Sequence, residues 1–84
     1  MEIENWLQYL PEGYSEGYFR SRKYSVSKTT FSNGKSCKVY ASELGGTNFI
    51  SFNFYRLKDE SVLKPCEMPE SKVLNFIKKY NKIE

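Results

Sequence analysis

Histidine is absent from this chain. No imidazole is therefore on hand to act as a general base, and a Cys–His nucleophilic mechanism is excluded. Cysteine is scarce as well. The two present, Cys37 and Cys66, match neither a disulfide-dense secreted scaffold nor the paired thiols of a zinc site, and read as reduced thiols of a cytoplasmic protein. No uninterrupted apolar run approaches the roughly 20 residues that a bilayer span requires. The opening MEIENWLQYL has neither the basic flank nor the apolar stretch of an export signal, so no membrane or secretory role is expected. Between Gly17 and Tyr40 there is no carboxylate at all.

The remaining chemistry-bearing features are equally sparse. Gly45 and Gly46 lie between extended segments with no helix following, which fits a turn and not a phosphate loop. Asp59 and Glu60 fall in a turn, where they hydrate. Cys66 precedes a helix start, a place where the dipole can lower a thiol pKa, but Glu67 beside it favours the protonated form. A small buried hydrophobe is the simpler role for it. The sequence thus predicts no enzyme, no cofactor and no metal.

What the chain does have is aromatic mass. Seven Tyr, six Phe and one Trp in 84 residues supply most of a core, at a size where folding buries only about 60% of the extended chain's surface. One domain, residues 1–84, is expected. Ile3, Trp6, Leu7 and Leu10 recur at helical spacing over 2–10, and Pro11 and Gly13 stop that helix. After a loop over 11–17, the pattern turns alternating. Strands are expected over 19–31, 36–43, 48–57 and 61–65, with Asn33–Gly34 making the first hairpin turn, Gly45–Gly46 the second, and Pro65 marking an edge. Phe19 and the pair Tyr24 and Val26 cannot all face inward in one straight strand, so a bulge is expected near Arg22 and Lys23.

A C-terminal helix over 69–81 follows, with Glu70 near its start, Lys78, Lys79 and Lys82 near its end, and an apolar face of Val73, Phe76, Ile77 and Tyr80. The fold class is α+β: a four-stranded antiparallel meander with a short N-terminal helix and an amphipathic C-terminal helix packed on the sheet. Ile50, Phe52 and Phe54, with Cys37, Val39 and Ala41, form the core face. Phe49, Ser51, Asn53 and Tyr55, with Lys38, Tyr40 and Ser42, point away.

Charge is unevenly placed. Residues 17–40 hold six of the thirteen basic residues and none of the ten acidic ones, which leaves seven against ten elsewhere. Cations and rings on one sheet face are the two ingredients of single-strand binding. The candidate site is Arg20, Arg22, Lys23, Lys28 and Lys38 for phosphates, and Tyr24, Tyr40 and Tyr55 for base stacking. Two alternatives stand beside it. Lysine and tyrosine also populate ordinary solvated sheet faces, and the Trp6 helix could itself cover the Tyr40 and Tyr55 face. A protein-interaction module, such as a phage accessory factor pairing its sheet edge with a host protein, is the other functional class.

Two resemblances bear on this. RKYSVSKTTFSNGK, then a β-ribbon, a turn, VLKP and a closing amphipathic helix, resembles the single-stranded-DNA-binding domain of the positive-cofactor-four type of transcriptional coactivator over about residues 19–81. That resemblance implies a curved antiparallel sheet backed by a helix, a homodimer, and single strands gripped on basic, aromatic ribbons. ELGGTNFISFNFY appears as an addition to that pattern, and Cys66 to Met68 replace the family's basic glycine turn. ELGGTNFISFNFY together with LKPCEMPESKVLNFI is also similar to small uncharacterised proteins of bacteria and phages, which implies no activity. Abundant Lys, Asn, Ile, Phe and Tyr fit an AT-rich genome such as a phage's, with the host cytoplasm as the site of action.

Overall fold

The computed structural model describes residues 3–82. Residue 2, where the first helix is expected to begin, lies outside them. The order is α1 (Ile3–Tyr9), β1 (Gly13–Phe19), β2 (Arg22–Phe31), a 3-10 turn (Ser32–Gly34), β3 (Ser36–Glu43), β4 (Phe49–Arg56), β5 (Ser61–Pro65), α2 (Glu70–Lys79) and β6 (Asn81–Lys82). All six strands form one antiparallel sheet in the order β5-β4-β3-β2-β1-β6. The α+β class and the meander hold; the strand number is six where the sequence pattern predicts four.

Both additional strands have physical causes. The segment 19–31 is not one strand with a bulge. It reverses at Arg20 and Ser21, whose φ values are 52° and 65°, and Phe19 then pairs with Arg22. A two-residue hairpin loop takes left-handed φ at both positions so that its twist matches that of the strands, and Asn or Gly usually signals it. Here the signal is missing, which hides β1. The reversal also resolves the phase conflict, since Phe19 and Tyr24 now sit on different strands with both rings inward, edge to face at 5.8 Å.

Gly17 reads as part of a loop, yet it lies mid-strand. A Cβ there would run into the Tyr80 ring and stand 2.5 Å from the Asn81 carbonyl oxygen. The missing side chain therefore lets Tyr80 and β6 dock. At Tyr80 the chain leaves α2 in an extended conformation, two residues earlier than the expected end of that helix. Residues 81 and 82 then pair with Tyr18 and Gly17 along the outer edge of β1.

Both helices lie on the same side of the sheet. Trp6, Leu7 and Leu10 of the α1 segment join Val73, Phe76, Ile77 and Tyr80 against Val26, Val39, Ala41, Ile50, Phe52 and Phe54 in one buried cluster. Phe76 is its hub, fully buried, with ring centroids 4.9 Å from Phe19, 5.1 Å from Tyr80, 5.4 Å from Tyr24 and 6.2 Å from Trp6. Such edge-on and offset ring contacts add to the transfer free energy of burial. The Trp6 helix is thus on the α2 side, and among the described residues no helix packs on the opposite sheet face.

Candidate nucleic-acid interface

Strand alternation and register together define the uncovered face. One cross-strand row is Tyr14, Ser27, Tyr40 and Ser51; the next is Thr29, Lys38, Asn53 and Lys64; a third is Phe31, Ser36, Tyr55 and Val62. Antiparallel strands rise about 3.4 Å per residue, so the two aromatic rows stand roughly 13 Å apart with the lysine row between them. A further row places Phe49 beside Ser42, Ser25 and Glu16. Phe49 stacks on Tyr40 with centroids at 6.0 Å and planes 26° apart. From α2, the Lys72 ammonium reaches around the sheet to lie 5.6 Å from the Phe49 centroid.

These rings are wet. Tyr14, Phe31, Tyr40, Phe49 and Tyr55 are all exposed, an unusual number of large rings on one side of so small a domain. The strand positions of this face carry three ammonium groups, Lys23, Lys38 and Lys64, against one carboxylate, Glu16. Glu16 accepts a hydrogen bond from the Tyr14 hydroxyl at 2.6 Å and an ion pair from Lys23 at 3.2 Å. The Tyr14 hydrogen bond, then Lys23, hold the Glu16 carboxyl below its ordinary pKa, and the same carboxylate pushes the Tyr14 hydroxyl up. Lys23 is consequently committed to a partner, whereas Lys38 and Lys64 form no ion pair among the described residues.

Of the eight residues expected to form the site, four share this face: Lys23, Lys38, Tyr40 and Tyr55. Arg20 sits in the β1–β2 turn with its guanidinium 5.3 Å from the Phe19 centroid, at the rim. The other three belong elsewhere. Tyr24 is buried in the core, and its hydroxyl accepts from Asn48 Nδ2 at 2.8 Å, so it has no surface on which a base could stack. Arg22 has the core-side parity, opposite Phe19, and pairs with Glu43 at 3.6 Å.

Lys28 also points to the helix side. Its ammonium donates to the carbonyls of Leu7 at 2.6 Å and Leu10 at 3.0 Å. It thereby satisfies acceptors that the end of α1 leaves orphaned, and places a cation at the negative end of that helix. All three misplacements follow from reading β1 and β2 as a single strand of unsettled phase.

Sequence reasoning missed five contributors. Tyr14 was hidden because 11–17 reads as a loop. Phe31 and Lys64 lie at strand ends, where alternation over 19–31 and 61–65 would have found them. Phe49 was assigned to the right face but not to the site. No sequence signal brings Lys72 to Phe49, since that contact depends on where α2 crosses the sheet.

Cys66 lies at the margin of the same face, its sulfur accepting from Asn53 Nδ2 at 3.6 Å and its backbone N–H donating to the Ser51 carbonyl. Cys37 is a core residue. Among the described residues no cluster of three or more potential metal ligands forms, and no helix is long and apolar enough to cross a membrane.

Comparison of the chain with protein-family models, with curated proteins and with solved structures gives no match. The functional reading therefore rests on the geometry of this face.

Proposed function

We propose that the protein binds single-stranded nucleic acid along the uncovered sheet face, with little sequence preference. The observation that carries this reading is the pairing of two exposed aromatic rows, Tyr14–Tyr40 and Phe31–Tyr55, with the Lys38–Lys64 row between them. Rings offer every base the same π surface, and lysines meet phosphates without reading sequence. The Tyr40–Phe49 stack, with Lys72 beside it, offers a two-ring platform with a cation at its margin. Hydroxyl and amide groups of Ser25, Ser27, Thr29, Ser42 and Asn53 fill the intervening positions with hydrogen-bonding groups for sugars and base edges.

The test is a fluorescence-anisotropy titration of a labelled oligonucleotide at two salt concentrations. Affinity falls with salt, and Lys38→Ala lowers the slope of log K against log salt by about one. Tyr40→Ala and Tyr55→Ala each remove roughly 1 to 3 kcal/mol of binding. Salt-independent binding, or wild-type affinity in both tyrosine variants, ends the proposal.

One feature favours the second functional class. β5 is an edge strand of the sheet, with one side of its backbone available for pairing to an added strand, although Pro65 contributes no N–H there. Under that reading the tyrosine variants leave partner binding intact, while a proline at Leu63 abolishes it.

A further inference from the structure

A second constellation of cations lies on the other side of the sheet, away from the proposed nucleic-acid face. Between the end of α1 and the β2–β3 hairpin is a cavity of about 170 Å³ whose wall includes Lys28, Lys35, Arg56, Leu7, Cys37 and Phe54. Among the described residues no carboxylate lines it. Two of the three cations are fixed before any ligand arrives. Two N–H groups of the Lys28 ammonium are held by the Leu7 and Leu10 carbonyls, leaving its third donor. Arg56 gives Nε to Glu4 at 2.6 Å and Nη1 to the Gly34 carbonyl at 2.8 Å, while Nη2 makes no hydrogen bond among the described residues. Lys35 is exposed at the mouth and forms no ion pair among those residues.

The charge count selects the ligand. Three cations line the cavity, and two carboxylates act on them from outside the wall. One is Glu4, paired to Arg56; the other is Glu12, which accepts from the N–H and hydroxyl of Thr30, itself part of the wall. Among the described residues, three positive charges less two negative leave one uncompensated. That balance suits a monoanion better than a phosphate dianion, because a second buried negative charge would have no partner. Leu7, Cys37 and Phe54 give the wall an apolar patch, beside the polar Gln8, Thr30 and Ser36. Cys37 feels both Lys28 and Arg56, whose charges oppose the upward push of burial on its thiol.

We propose that this cavity is a binding site for a small organic monocarboxylate, its oxygens held by Lys28, Lys35 and Arg56 and its short apolar end set against Leu7, Cys37 and Phe54. Charge-assisted donors fixed in advance bind such a group with little ordering cost. The volume admits an acid of a few carbons and no polymer, so the site is independent of the sheet face that takes nucleic acid.

The test is a titration of the full chain, labelled with nitrogen-15, by sodium butyrate. Parallel titrations use 1-butanol, sodium chloride and sodium phosphate at matched ionic strength. Butyrate is expected to give saturable amide shifts centred on Gln8, Ser36 and Cys37. Lys35→Met, at an exposed position that leaves the fold intact, weakens the apparent affinity roughly tenfold, the loss of one charge-assisted contact. Tyr40→Ala, on the other face, leaves it unchanged. Absence of saturable shifts overturns the proposal, as does an equal response to 1-butanol or chloride, tighter binding of phosphate, or wild-type affinity in both Lys35→Met and Arg56→Gln.

Discussion

Lys28 and Lys38 occupy neighbouring register positions on adjacent strands, Lys28 opposite Val39 and Lys38 opposite Thr29, yet they do different work. Lys28 ties down the end of a helix on the covered side; Lys38 meets water on the open side, between rows of rings. Tyr24 and Tyr40 divide in the same way, one buried against Phe19 and Phe76, the other stacked in the open on Phe49. Side-chain type does not distinguish the members of either pair. Strand parity does, because successive side chains point to opposite faces and only one face is covered by helices. The general lesson is that a count of basic and aromatic residues in a β segment overstates a binding surface about twofold when both faces contribute to the count.

The contrast between the faces can be broken most forcefully at the core. Phe76→Ala is expected to lose about 3 to 5 kcal/mol, because the rings around it cannot close the cavity. Tyr40→Ala, removing an equally large ring from the open face, should stay within about 1 kcal/mol. Urea denaturation of both variants decides the matter, and comparable losses would mean that the open face is structural.

The lysine pair gives the next largest effect. Lys28→Met leaves two carbonyls at the end of α1 without their donor and should cost about 1 to 3 kcal/mol, with oligonucleotide affinity unchanged in whatever fraction is folded. Lys38→Met should leave the denaturation midpoint within about 0.5 kcal/mol of wild type and lower the affinity.

Tyr80 sharpens the contrast at high pH. Its hydroxyl is buried on Gly17 without a hydrogen bond of good geometry to the nearby Ser15, and burial pushes it from 10.0 up to about 12. The folded state favours the neutral phenol. The stability this represents is therefore complete below pH 10 and lost as the pH climbs from 10 towards 12. In Tyr80→Phe, thermal melts should be less sensitive to pH across that window and no less stable at pH 7, since no hydrogen bond is given up. An unchanged alkaline transition would place the responsible group elsewhere.

Much of the covered face was legible. Alternation in 36–43 and 48–57 assigned Cys37, Val39, Ala41, Ile50, Phe52 and Phe54 inward, and each is buried. Helical spacing found the α1 and α2 stripes, because a helix that must bury one side writes that requirement every three or four residues. The region 11–31 was not legible. Its turn uses Arg20 and Ser21 at left-handed φ without the customary Asn or Gly, and Gly17 reports a close approach by Tyr80, a residue 63 positions later in the chain. The two-residue β6 is too short to carry any periodicity. Half of the residues expected to form the site share the open face because Lys38, Tyr40 and Tyr55 lie on strands of clear phase, and Lys23 follows them once β2 is separated from β1.

The local pattern of this chain determined an α+β fold, two amphipathic helices and the inward faces of β3 and β4, since periodic burial is recorded residue by residue. Only the tertiary structure decided that both helices share one side, which leaves the other side open and sends Tyr24 and Lys28 inward while Tyr40 and Lys38 remain outside. The physical reason is that the docking side of a helix and the reversal of a strand depend on contacts between residues far apart in sequence. Trp6 against Phe76 and Gly17 beneath Tyr80 are two such contacts, and neither partner's own neighbourhood records the other.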